Sequence, residues 1–535
     1  MPKPSRRDLF RASLAGIGGL RLRGADAEKA RVGFVASSHS KLARPSPAED
    51  ALDYPRVREM VWRAIEYGRP RAGSLEAKIR PGSWVVIKPN IIGLPPRRTY
   101  RTGDVTDLRV TKAVLEYVAA KSRAARITVA EGGSYRRIGD PAPDNRMTQN
   151  GVQVDALTAD WGGEFAGLNG SLGDVLQEAR ERFPGKRFDY IDLAYDPARD
   201  ESGQFQWMEV PRSPNGAGAF GEKPVYVMAR TVLDCDFLIS VPVMKCHTMC
   251  GVTGCLKNYV GTAPRIVYTT PGSFSNNELH SKHSLEGRID SFIVDLAAFH
   301  PPDYSVVDAI RGLQYNEHRI DRPDQEMRSN LVMAGEDPVA IDTLAASIMG
   351  FQPHDIEYLH MASQRQMGTM DLRRVEVTGD EPDRFRRAWG KPNNWYGRCN
   401  RTWLVTQDPQ AEMKGWERHT TVSDTLHCTR WRPPASDDAV YRAAARVVSE
   451  GARKAFLWVG ARGRITAFLN GEKVMEEEGL TRYRVGQFQK AVELRPGENL
   501  LVFELKPAGG TGDLSALLVG PRNDGDTVEG IRWSA

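Results

Sequence analysis

The sequence predicts an α/β domain, with a mixed or mostly parallel sheet flanked by helices, followed by a smaller all-β sandwich. Three observations predict it. Short runs of apolar β-formers alternate with helix-period segments from residue 31 to 385. Composition shifts near 386–399, where Gly390-Lys391-Pro392-Asn393-Asn394 reads as a linker. Beyond 400 the strands are short and regularly spaced, with Asn470-Gly471 and Pro496-Gly497 at turns.

The elements follow in order. Arg31–Ala36 is a short apolar strand, and Tyr54–Tyr67 has helical spacing through Val57, Met60, Val61 and Ile65. Trp84-Val85-Val86-Ile87 is a buried-strand run ending at Lys88-Pro89-Asn90. Asp107–Ala120 is a helix with Thr106 as its expected N-cap, and Ala125–Ala130 is a strand closed by Glu131-Gly132-Gly133. Residues 138–222 are rich in Gly, Pro and Asp and read as an excursion from the sheet. Phe237–Val241, Tyr304–Asp308 and Asn330–Ala334 are further strands, and Val339–Met349 is helical. In the sandwich, Ala455–Val459, Ile465–Leu469, Val492–Leu494 and Leu500–Leu505 are strands.

The chain has 535 residues, too many for one hydrophobic core, and a net charge of +5. Much of that charge sits in residues 1–27, which hold six Lys/Arg and two Asp/Glu. The remainder is close to neutral, which argues against nucleic acid as a partner. The same segment has the order of a twin-arginine export signal. Ser5-Arg6-Arg7-Asp8-Leu9-Phe10 precedes an apolar stretch, Ala12–Leu20, and then Ala25-Asp26-Ala27, a small-residue cleavage pattern. The stretch is too short to span a bilayer, and no later segment is apolar enough to do so. The expectation is a periplasmic or extracellular protein whose partner during export is the twin-arginine translocase. Six cysteines in so long a chain make no disulfide framework, although export allows Cys399 and Cys428 to pair.

Three segments could carry chemistry. Lys88 and Asn90 stand at a strand end, and Arg97, Arg98 and Arg101 follow in the loop before a helix. Ligands of α/β proteins gather at such ends, where Arg and Lys could hold a carboxylate or phosphate; a solvated basic loop is the alternative. The second segment runs from Lys245, Cys246 and His247 through Cys250, Cys255, Lys257 and Asn258 to His280 and His283. Cys246, His247, Cys250, Cys255, His280 and His283 offer thiolate and imidazole, the ligands of zinc, copper and iron–sulfur sites. Small buried thiols beside a working Lys/His pair, or a local disulfide, fit the same residues. The third segment pairs Asp337, before Pro338 at the first helical position, with Asp342 one turn on. Asp337 reads as a cap or a cofactor contact. Asp342 reads as a base, a ligand, the carboxylate partner of a buried Lys or His, or a solvated helix residue.

Taken together, these segments resemble the DUF362 family, proteins of unestablished function, some with ferredoxin-like iron–sulfur modules. The carriers are Ile87-Lys88-Pro89-Asn90, Leu238 through Lys245 and His247, Gly251-Val252-Thr253, Leu256-Lys257-Asn258, Gly261, Ile293-Val294-Asp295-Leu296, Val307-Asp308 and Ala334-Gly335 with Asp337-Pro338-Val339-Ala340 and Asp342. The resemblance spans about 31–385. It implies the fold and the place of a site but no reaction. Cys246, Cys250 and Cys255 depart from its pattern, and no Cys-rich ferredoxin motif is appended. Residues 400–535 are similar to galactose-binding-like sandwiches, through Thr402–Val405, Ala467–Val474 and Leu494–Leu500. That likeness makes a glycan a candidate ligand.

These readings leave two classes of function open. One is an exported metal- or cofactor-dependent enzyme, with an oxidoreductase among the candidates, acting on a small anionic substrate through Lys245, His247, Lys257 and Asp342. Lys88, Asn90, Arg97, Arg98, Asn258 and Asp337 would then hold the cofactor. The other is a non-catalytic periplasmic binder of a metal, cofactor or glycan. A glycan-processing enzyme would need paired carboxylates in a cleft, which the sequence does not reveal.

Overall fold

The computed structural model describes residues 29–94, 103–132, 146–149, 152–163, 165–168, 170–221, 223–270, 276–283, 289–318, 322–392, 397–421, 423–436, 438–478, 483–508, 512–525 and 528–534. The twin-arginine motif and Arg97, Arg98 and Arg101 lie outside these residues.

Ten strands of the first domain concern the site. They are β1 (Ala30–Ala36), β2 (Trp84–Pro89), β3 (Arg126–Glu131), β4 (Arg187–Asp192), β5 (Phe237–Val241), β6 (Lys245–His247), β7 (Gly251–Thr253), β8 (Tyr304–Leu313), β9 (Glu326–Gly335) and β10 (Val375–Gly379). Eight of them form one sheet in the order β10-β1-β9-β8-β5-β2-β3-β4, while β6 and β7 pair as a separate hairpin. Five of the seven pairings in the large sheet are parallel, and the two made by β9 are antiparallel.

Helices cover both faces of this sheet. α1 (Tyr54–Tyr67) and α2 (Leu108–Lys121) bury Val57, Met60, Val61, Leu108, Val110 and Val114 on one side, together with α3 (Leu172–Arg182). α4 (Asp290–Phe299), α5 (Pro338–Ile348) and α6 (Glu357–Gln364) pack Phe292, Ile341 and Tyr358 on the other. Apolar cover on both faces is what near-continuous runs such as Val85-Val86-Ile87 require.

Two local expectations are corrected. The cap of α2 is Asp107, whose carboxylate accepts from Arg109 N, while the Thr106 hydroxyl donates to Val241 O at 2.7 Å and ties β2's exit loop to β5. The excursion at 138–222 is not devoid of structure, because α3 and the edge strand β4 lie within it. α3 starts at a capping box, Ser171 with Asp174, whose short polar spacing is easily mistaken for loop.

Antiparallel sheets of seven and four strands make up the second domain, facing each other across Trp403, Val405, Ala443, Leu457, Ala516 and Leu518. Asn470 and Gly471 both have positive φ, the condition for a two-residue hairpin of this hand. In the four-stranded sheet, strand 453–461 turns Ala455, Leu457 and Val459 to the sandwich interior, and Phe456 and Trp458 to the core of the α/β domain. Strand 513–519 does the same, with Leu514, Ala516 and Leu518 inside, and Leu517 and Val519 outside. These two strands are therefore covered on both faces, and the sandwich stacks on the α/β domain as a further layer.

Cys399 and Cys428 are separate reduced thiols, as are the other four cysteines. Cys399 packs in the core shared with the α/β domain and Cys428 inside the sandwich, so the expected disulfide does not form.

Candidate functional site

The site lies where β2, β3 and β5 end. Lys88 pairs in register with Ser240, and Glu131 closes β3 beside them. β8 and β9 run on past these ends as a hairpin. The chain leaving β5 follows it, with Val243 bridging Asp308 and Met244 N donating to Asp308 O. This stagger carries Lys245 and His247 to the level of the hairpin tip, Glu317 and His318.

Lys88 is 1% exposed. Its ammonium pairs with the Glu131 carboxylate and donates to Asn258 Oδ1 at 3.1 Å and to Pro89 O at 3.1 Å. Asn258 Nδ2 donates to Lys88 O and to Ser240 Oγ, which locks the side chain in place. Burial is the largest influence on both charged groups. It pushes the ammonium down and the carboxyl up against their mutual attraction, and Lys257 pushes Lys88 lower still. A Cβ on Gly261 would stand 2.8 Å from Lys88 Nζ and 2.9 Å from Glu131 Oε1, so this backbone approaches the pair as only glycine can.

Lys245, 2% exposed, donates to Asp104 O at 2.6 Å and Glu317 O at 2.8 Å, with Asp104 Oδ1 at 3.4 Å. His318 Nδ1 lies 3.1 Å from the same Asp104 oxygen. Burial alone would raise the Asp104 carboxyl, yet Lys245 and His318 hold it below its usual value. The same burial pushes Lys245 down. His247 is held well below its usual value by burial first and then by Lys257. Its Nδ1 accepts from Met249 N, which leaves Nε2 to carry the proton, 3.9 Å from Glu317 Oε1. The Glu317 carboxylate accepts from Thr248 N and Thr248 Oγ1. It is held at about 2, where burial, which raises it, is outweighed by His247 and these bonds.

Lys257 differs from the other two lysines. It is half-buried, and its side chain makes no ion pair or hydrogen bond among the described residues. Its charge lowers Lys88, Lys245, His247 and His280, so all four share its field. His280 is pushed to about 4 by burial first.

The remaining candidates are placed elsewhere. Asp342 does not face Lys245 or His247. Its carboxylate accepts from Cys255 N at 2.6 Å and Leu256 N at 3.2 Å, close against Gly254, and so pins the turn that leads into Lys257. Asp337 caps α5 through Ala340 N and also accepts from Thr369 N. It lines a cleft of about 270 Å³ with Lys29, Arg31, Arg69 and Arg71, beyond the end of β9 opposite Glu317. Asn90 serves the loop: its backbone N–H donates to Thr106 Oγ1 at 2.8 Å and its Nδ2 donates to Asp104 O at 3.4 Å.

Among the described residues, no three of Cys246, His247, Cys250, Cys255, His280 and His283 converge as a donor set. Cys246 Sγ donates to Gly390 O and Cys250 Sγ to Val252 O. Burial pushes the Cys246 thiol up to about 12 and the Cys255 thiol well above its usual value, which disfavours thiolate. His283 stacks on Tyr226 with ring centres 4.4 Å apart, inside the core. These residues do not fit a metal ion or an iron–sulfur cluster. Asp104, Glu131, Glu317 and His318 are site residues that the sequence motifs did not single out. Only Glu131 carried a signal, as the last residue of a buried strand.

Comparison with known proteins places a DUF362 domain, described as a domain of unknown function, at residues 204–347. That span includes Lys245, His247, Lys257, Asn258, Glu317, His318 and Asp342, whereas Lys88, Asp104 and Glu131 precede it. No curated protein matches the chain. Among solved structures, the lactate racemase apoprotein from Thermoanaerobacterium thermosaccharolyticum is similar over 57% of this chain and 59% of its own, at 12% identity and a TM-score of 0.27. A family 35 carbohydrate binding module from an environmental isolate matches 26% of this chain and 94% of its own, at 13% identity and a TM-score of 0.16. For a beta-glucosidase from Kluyveromyces marxianus in complex with glucose the figures are 23%, 17%, 12% and 0.18, so this chain spans about a sixth of that enzyme's length.

Proposed function

We propose that the chain is an exported enzyme acting on a small anionic substrate, a carboxylate or a phosphate, at the Lys257 cluster. One observation carries this reading. Lys88 and Lys245 have every ammonium donor committed to protein acceptors, while Lys257 stands half-buried, its side chain uncommitted among the described residues, and its own charge reaches both of them. An incoming anion lowers the electrostatic cost of that charge. Lys257 then binds the anion, and Lys88 and Lys245 position the loops around it. His247, kept neutral by burial, presents its Nε2–H to the bound anion as a hydrogen-bond donor, with Glu317 beside it at 3.9 Å.

A panel of small carboxylates and phosphates, screened for a rise in melting midpoint of the full chain, tests the site. The response should disappear in Lys257→Gln, and an equal response in parent and variant refutes the assignment. A second reading, a binding protein that carries the anion unchanged, draws on the saturation of Lys88 and Lys245. It predicts the same shift with no conversion of the ligand. Export rests on the ordered signal at residues 1–27. Arg6→Lys with Arg7→Lys should leave the precursor in the cytoplasm, and unchanged export of that double variant removes this part of the proposal.

A further inference from the structure

The α/β domain and the sandwich meet at a second cluster, independent of the Lys257 site. His354, in a short 3₁₀ turn (Pro353–Asp355), and His360, on α6, come from the first domain. His427 ends strand Leu426–His427 of the sandwich. One ring nitrogen from each lies within 4.8 Å of the other two. The ring centres are 4.8 to 5.7 Å apart. These imidazoles are inclined to one another by 39 to 64°, so they form a funnel of ring edges, not a stack.

The second nitrogens of two rings are already oriented. His427 Nδ1 lies 2.7 Å from Asp513 Oδ1, its register partner on the adjacent strand. His360 Nε2 donates to His354 O at 2.6 Å. The bond to Asp513 leaves His427 Nε2 as the ring's available ligand atom. It is shielded from solvent and has no hydrogen-bond partner among the described residues. A carboxylate behind one imidazole and a backbone carbonyl behind another are the supports that metal-ligating histidines use, since they fix the tautomer and raise ligand basicity. Asp513 is itself buried, so its carboxylate is held against the His427 ring.

Around the cluster the two domains are held in register. Asp424 N donates to Asp355 Oδ1 at 2.7 Å, and Arg401 reaches Asp424 at 2.8 Å and Asp355 at 3.5 Å. Asp355 and Asp424 neighbour His354 and His427 in sequence, so the same two segments present both the ion pairs and the histidines.

We propose that His354, His360 and His427 form a site for a divalent transition-metal ion of the zinc type, with Asp513 as the supporting carboxylate. Zinc–nitrogen bonds of ~2.0–2.1 Å in a tetrahedron put ligand nitrogens about 3.4 Å apart, so each ring moves inward by less than about 1 Å on binding. Three imidazoles leave the fourth position to water. Because the ligands come from both domains, the bound ion staples the sandwich to the α/β domain.

The test uses the full chain stripped with a chelator and titrated with zinc against a chromogenic competitor. One equivalent should bind, and the melting midpoint should rise with zinc concentration. Cobalt(II) in the same site should give the intense visible bands of a four-coordinate ion. Asp513→Asn should weaken zinc binding tenfold or more with the three ligands intact. The double variant His354→Gln, His427→Gln should bind none while keeping the parent's circular dichroism. Failure of the stripped parent to take up zinc overturns the proposal, as does parent-like uptake by the double variant. If that variant does not fold, the cobalt spectrum of the parent and the Asp513→Asn affinity decide, and a six-coordinate spectrum with unchanged affinity overturns the site.

Discussion

At the scale of single residues, the site depends on groups whose charges are costly to bury and are held by specific partners. Gly261 is the most sensitive of these positions, because a methyl group there meets Lys88 Nζ and Glu131 Oε1 inside 3 Å. Gly261→Ala should therefore crowd the pair and lower stability by ~1–3 kcal/mol, the cost of overpacking a buried site, read by urea denaturation. A variant as stable as the parent would show that the pair relaxes around the methyl. Asp342 makes a prediction of opposite electrostatic sign to a surface carboxylate. Burial raises it to about 6 against the bonds from Cys255 and Leu256, so the folded state holds its proton more tightly than the unfolded chain does. Its contribution to stability is complete below about pH 4 and is lost as pH rises through about 6. Asp342→Asn should flatten the stability curve between those values relative to the parent. Parallel curves for the two proteins would refute the burial of the charge.

At the scale of elements, α5 shows how a motif can be legible and still be misassigned. Asp337 before Pro338 spells a helix start in any context, and the structure uses it so, with the second carboxylate oxygen holding Thr369 N. Asp337→Ala should cost ~1–2 kcal/mol in chemical denaturation and leave the anion response of the Lys257 cluster unchanged. Loss of that response would return Asp337 to a binding role. Lys88 and Lys245 were legible for a physical reason: a lysine that ends an apolar strand run has few solvated places to go. Asp104, Glu317 and His318 were not, since they sit on loops whose meeting depends on how far β8 and β9 overshoot β5. No local pattern encodes that stagger. The unbroken apolar runs Ala455–Val459 and Ala516–Val519 did encode burial on both faces, a signal distinct from the alternation that marks a sandwich strand with one wet face.

At the scale of the whole molecule, the sandwich has its own core but not its own surface. Residues 400–535 cut from the chain retain Trp403, Leu457 and Phe503 inside, and expose Phe456, Trp458, Tyr483, Leu517 and Val519. The fragment should give an antiparallel-β circular dichroism spectrum and bind a hydrophobic dye more strongly, mole for mole, than the full chain. A disordered spectrum would mean that strand 453–461 needs the α/β domain to form. Dye binding no stronger than the full chain's would mean that the docking face closes on itself.

The hairpin tip that meets Lys245 has a consequence for time as well as for space. Lys88 reaches Asn258 across 170 residues of chain, Lys245 reaches Asp104 across 141, and His318 reaches the same Asp104 across 214. Contacts of such contact order form late, because loop closure must be met before they stabilise anything. A chain refolding from denaturant should regain its far-ultraviolet signal first and its anion response in a slower, separate phase. Equal rates for the two would mean that the ends of β2, β3 and β5 are drawn together in the folding nucleus itself.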